Sequence, residues 1–81
     1  MNIKRVLRWY QKNPGDELVG EAEMQEVSLT DLQKLFEIQL DDPMYECYPV
    51  TQKHIEYLRQ HIDAEIDITK HDYFVECDAV T

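Results

Sequence analysis

Hydrophobic and polar positions alternate along residues 2–12, the pattern of a strand with one covered face. Ile3, Leu7 and Trp9 point one way and Lys4, Val6, Arg8, Tyr10 and Lys12 the other, with Arg5 as a charged exception on the apolar side. Asn13-Pro14-Gly15-Asp16 then reads as a type II turn, because proline presets φ at its second position and glycine accepts the positive φ of its third. A second strand over about residues 17–26 returns from it. Folding about that turn sets a register: Lys12 faces Glu17, Tyr10 faces Val19, Arg8 faces Glu21, Trp9 covers Gly20 and Leu7 meets Ala22. Cross-strand opposite charges contribute roughly 0.2–1 kcal/mol per pair, and a large ring over a glycine fills the space it leaves. The basic residues of the first strand are thus expected to be matched by the second. A one-residue bulge would exchange the two faces.

The period then changes. Ser28 stands at a cap position with Asp31 three residues on, a variant of the capping box. Leu29, Leu32, Leu35 and Phe36 follow at helical spacing, which predicts a helix over about 29–37, with Ile38 and Leu40 prolonging its apolar side. Thr51 caps a second helix whose stripe is Ile55, Leu58 and Ile62, with Val50 and Ile55 at the two positions of a hydrophobic staple. This helix is expected to end near Asp63, before an extended lead-in at Ala64–Ile68. The last element is a strand at about 72–78, where Tyr73-Phe74-Val75 suits a covered sheet position.

The order β-β-α-α-β predicts an α+β domain over residues 1–81: a three-stranded, mainly antiparallel sheet with two helices on one face. The pattern leaves open which strand the last one joins. A chain of 81 residues builds one thin core and no second one.

Charge narrows the partners. Seventeen acidic residues stand against eight basic ones, for a net charge of −9. Nucleic-acid binding needs a basic footprint, and so does docking on an anionic membrane, so neither is expected. A basic protein is the partner that fits. No apolar run follows the basic N-terminal residues, which predicts a cytosolic protein. Cys47 and Cys77 are far apart in sequence and read as free thiols.

Between the helices lies Asp41-Asp42-Pro43-Met44-Tyr45-Glu46-Cys47-Tyr48-Pro49-Val50, too rich in proline for a helix or strand and too rich in tyrosine for a solvated spacer. It has two readings. In one, Asp41-Asp42-Pro43 sets a turn and the tyrosines pin the loop. In the other, Tyr45 and Tyr48 are binding anchors inside a negative rim of Asp41, Asp42 and Glu46.

Chemistry is sparse elsewhere. His54 and His61 would lie about 10 Å apart along one helix, too far to share a zinc ion, and Cys47, Cys77 and His71 offer no close ligand pair to join them. A metal- or ligand-binding regulator built on these five is nevertheless the alternative from a different class. Asp63, Glu65 and Asp67 open like a calcium loop, but Ile68 and Phe74 occupy its glycine and glutamate positions. The one serine reads as a cap, glycine-rich phosphate loops are absent, and acidic neighbours raise the pKa of Cys47. No catalytic activity and no cofactor are expected. The last strand could also pair with its copy and make a homodimer.

Asp41-Asp42-Pro43-Met44, Tyr48-Pro49-Val50 and the closing Asp72-Tyr73-Phe74-Val75-Glu76 resemble a group of short, functionally uncharacterised bacterial proteins, cyanobacterial ones included. The resemblance spans most of the chain and implies no activity, cofactor or catalytic residue. In size and charge the chain is also similar to immunity proteins that neutralise a toxin domain. Together these readings predict a non-catalytic interaction module, in its sharpest form an immunity or antitoxin-type inhibitor.

Overall fold

A computed structural model describes residues 2–12 and 17–80; the turn expected at Asn13–Asp16 lies outside them. The elements are β1 (Asn2–Gln11), β2 (Leu18–Glu23), α1 (Leu29–Leu35), β3 (Tyr48–Pro49), α2 (Gln52–Leu58) and β4 (His71–Val80). They form an antiparallel sheet in the order β2-β1-β4-β3, and the two helices cover one of its faces. The α+β class and the two helices stand as expected, but the sheet has four strands instead of three. The fourth comes from the central stretch. Proline removes one ladder donor, which a central strand does not tolerate, but β3 is an edge strand and Pro49 needs partners on one side only.

The register of β1 on β2 matches the sequence at Leu7–Ala22, Arg8–Glu21 and Trp9–Gly20, then slips at a bulge between Trp9 and Tyr10. Beyond it Tyr10 pairs with Leu18, not Val19, and Gln11 N donates to Glu17 O at 2.8 Å. The bulge therefore separates Lys12 from Glu17. The Lys12 ammonium instead meets Asp72 of β4 at 2.9 Å.

β4 is a central strand. It pairs with β1 over its whole length, from Asn2–Val80 to Gln11–His71, and with β3 on its other side at Tyr48–Val75 and Pro49–Phe74. On that second side β3 covers only Phe74 and Val75 of the strand. The central place of β4 follows from composition: Tyr73 and Val75 are buried, and a strand covered that well belongs inside a sheet.

The core lies between sheet and helices. Leu7, Tyr73 and Val75 meet Leu32 of α1, Ile55 and Leu58 of α2, and Met24, Met44, Val50 and Ile66 from the connections. Burying each such side chain contributes roughly 1.5–3 kcal/mol. Trp9 leans on Tyr73, with ring centroids 5.4 Å apart, and its ring leaves no room for a Cβ at position 20.

Both helices end earlier than their apolar stripes suggest. At α1 the Ser28 hydroxyl accepts from Asp31 N, as expected, but the far end closes in a Schellman arrangement: Ile38 N donates to Gln33 O at 2.8 Å and Glu37 N to Lys34 O at 3.3 Å. The residue that turns the chain there is Glu37, at a φ of 58°, where glycine would be usual. α2 ends at Leu58 in a tightened turn, with Gln60 N donating to Tyr57 O and His61 N to Leu58 O; just past it His61 exchanges bonds with Gln25, whose N donates to His61 O and whose O accepts from the His61 ring at 2.8 Å. The extended lead-in expected at 64–68 forms no strand: the chain bends at Ala64 and turns from Ile68, tied to β4 by the Tyr73 hydroxyl, which accepts from Asp67 N and donates to Glu65 O.

Candidate functional site

The central stretch is clamped to the domain from three directions. Arg5, on the apolar face of β1, is buried and donates from its guanidinium to the carbonyls of Met44 and Pro43, the latter at 2.7 Å. Gln33 of α1, also buried, donates its amide to Leu40 O at 3.1 Å and Asp42 O at 2.7 Å. The Asp42 carboxylate accepts from Met44 N at 2.8 Å and closes a local turn. Met44 then enters the core fully buried, with a φ of 55°. These bonds satisfy a run of carbonyls that has no helix or sheet to serve it.

Five residues of this stretch are the sequence-derived candidates, and they divide into two groups. Asp42 holds its own turn, and Tyr48 faces the helices and packs its ring on Phe36 at 6.0 Å. Burial raises the Tyr48 hydroxyl pKa, helped by the charges of Asp42 and Glu46. Both side chains are thus engaged within the domain and half-buried. Asp41, Tyr45 and Glu46 are exposed, Tyr45 to 53%. The clamped loop thus presents one aromatic ring and two carboxylates to solvent on a fixed backbone.

Cys47 lies between these groups and faces the side of the sheet opposite α1 and α2. There Tyr10, Cys47, Asp72, Phe74 and Glu76 line an open depression of about 280 Å³. Strand alternation puts Asp72, Phe74 and Glu76 on the same face of β4. The Tyr10 ring meets Phe74 edge-on at 5.7 Å, and its hydroxyl donates to Glu76 at 2.5 Å. Desolvation, then that bond, pushes the Tyr10 pKa up to about 12. Arg8 crosses the same face and gathers three carboxylates: Glu21 at 2.8 Å, Glu76 at 3.0 Å, and Asp78 through two bonds of 2.9 and 2.6 Å. The fork on Asp78 is the bidentate geometry that guanidinium favours, and it holds the Asp78 carboxyl below its usual range. Desolvation first, then Glu76, raises the Cys47 thiol pKa, which makes it a poor nucleophile.

The sequence pattern pointed to the loop but not to this depression. Asp72, Phe74 and Glu76 were legible as one face of a strand; what hid the site was the undecided partner of β4, which brings Tyr10 and Cys47 beside them.

The five residues of the metal-binding alternative are dispersed. His54 is buried on α2 against Phe36, His61 bonds Gln25, His71 starts β4, Cys47 faces the side opposite α1 and α2, and Cys77 lies opposite Arg5. Among the described residues no group of three or more His, Cys, Asp or Glu side chains is placed to hold a metal ion, and no helix is long and apolar enough to cross a membrane.

Over residues 4–76 the chain matches the family described as Domain of unknown function (DUF7683). It belongs to that family. The stretch shared with DUF7683 runs from β1 through the clamped loop to Glu76 of β4, so it contains the whole depression and the loop beside it. None of the curated proteins matches the chain.

Proposed function

We propose that the chain is a non-catalytic, cytosolic interaction module that binds a basic protein through the acidic, tyrosine-bearing segment 41–50. Its sharpest form is an immunity or antitoxin role in a bacterium, in which the basic partner is a toxin domain. One observation carries the reading: Tyr45, Asp41 and Glu46 stand exposed on a loop whose backbone Arg5 and Gln33 hold in place. An anchor fixed before binding loses little conformational freedom on contact, and so retains more of its interaction energy. The net charge of −9 adds long-range attraction for a basic surface.

The test begins with capture of partners from the source organism's lysate at low salt, followed by association kinetics with the purified partner. Reversing Asp41 and Glu46 to lysine should slow association and flatten its salt dependence, and Tyr45→Ala should speed dissociation. A captured partner indifferent to all three changes would show that this loop is not the contact.

A further inference from the structure

The reading of a basic partner leaves open where its charge is received, and the depression on the sheet face opposite α1 and α2 has the chemistry for it. We propose that this depression seats one cationic side chain of the partner, an arginine. The inference rests on the basic-partner reading but concerns a surface distinct from Asp41, Tyr45 and Glu46, sharing only Cys47 with the loop.

The walls are two aromatic rings, Tyr10 and Phe74, already ordered against each other at 5.7 Å. The rim carries two carboxylates in different states. Glu76 is only 12% exposed and is held by Arg8 and Tyr10, while Asp72 is half exposed and Lys12 engages one of its oxygens. A guanidinium is flat, weakly hydrated and able to stack on a ring while donating to a carboxylate; an ammonium is compact and holds its water more tightly. An arginine stem would lie on Phe74 and its head would reach Asp72. The balance of charge agrees. Across this face Lys4, Arg8 and Lys12 meet Glu21, Glu23, Asp72, Glu76 and Asp78, so it stays negative after its internal pairs are made.

The experiment is an amide and aromatic NMR titration of the full chain with N-acetyl-arginine amide, against its uncharged isostere N-acetyl-citrulline amide. The expected result is a set of shifts concentrated on Tyr10, Cys47, Asp72, Phe74 and Glu76, much weaker with the citrulline compound. Cys47→Phe fills the depression without changing any charge and should weaken binding about tenfold. Should that variant not fold, Asp72→Asn keeps the shape, removes one charge and should weaken binding severalfold. Shifts centred on Asp41, Tyr45 and Glu46 would overturn the proposal and leave the basic-partner reading intact. Shifts spread over all acidic residues, no shifts, or binding unchanged in the variants would also overturn it, and partner capture would then judge the broader reading by itself.

Discussion

The guanidinium of Arg5 donates to two main-chain carbonyls of the central loop, so a charged residue on an apolar strand face serves as a brace for a segment without secondary structure of its own. Replacing it with alanine leaves the buried Met44 carbonyl without its donor, a loss of about 1–3 kcal/mol that urea unfolding would register. His54 is a second such brace. Its Nδ1 accepts from Thr51 N at 2.9 Å, the part a glutamate or glutamine usually takes in a capping box. That bond requires the neutral ring, and burial lowers the His54 pKa below its ordinary 6.5. The unfolded chain therefore binds the proton first as pH falls. Stability from this residue is complete above about pH 6.5 and declines as pH drops toward the folded-state value. Urea midpoints at pH 7.5 and 5.5 should differ in the natural protein and converge in His54→Gln, whose amide can still accept from Thr51; a slope that persists in the variant would refute the assignment. Asp78 and Asp67, whose pKa values are lowered, add their own loss only at more acidic pH. Glu37 is a third telling position. It takes a left-handed conformation better suited to glycine, so Glu37→Gly should raise stability, the solvent-screened pair with Lys53 being too exposed to offset the gain. Thermal unfolding of the variant checks it.

At the level of elements, local pattern was legible wherever one periodicity ran unbroken. β1, both helices and their caps could be read from the chain, and so could the Trp9–Gly20 contact. That contact makes a firm test. A Cβ on residue 20 would come within 2.6 Å of the Trp9 ring, which Tyr73 holds in place, so Gly20→Ala should cost about 1–3 kcal/mol and shift the tryptophan fluorescence. What the chain did not disclose falls where one residue does unexpected work. Glu37 ends α1 with neither glycine nor proline, His61 just past α2 is bound to distant Gln25, and the bulge after Trp9 moves Lys12 from Glu17 to Asp72. Pro49 hid β3, since proline argues against a strand until the strand is known to lie at an edge. For the candidate site, composition singled out the central loop, but which of its residues face solvent depended on Arg5 and Gln33, remote in sequence. Nothing local announces those bonds.

On the scale of the whole molecule, the excess of acids acts against the fold that displays it. A net charge of −9 on so small a body repels itself, and salt screens that repulsion. The melting temperature should rise between roughly 20 and 300 mM sodium chloride, a range over which the screening length falls from about 20 Å to 6 Å, while affinity for a basic partner should fall. The opposite responses separate the two roles of the charge. Part of the repulsion is offset locally, because Arg8 draws the carboxylates of β2 and β4 together across β1. Arg8→Met should therefore cost more than an ordinary surface pair, about 1–3 kcal/mol in urea unfolding, since it leaves Glu76 and Asp78 adjacent without a counter-charge.

The pairing of β1 with β4 also sets a clock. Asn2 lies opposite Val80 and Gln11 opposite His71, so the centre of the sheet joins segments separated by nearly all of the described chain. Such a centre cannot assemble until β4 has been synthesised, and closing so long a loop costs entropy before any contact rewards it. The helices and the β1–β2 hairpin would have to wait as partial structures, with Leu7 and Trp9 uncovered. Refolding from urea is accordingly expected on a timescale of about milliseconds to seconds, slower than in a helical domain of similar size.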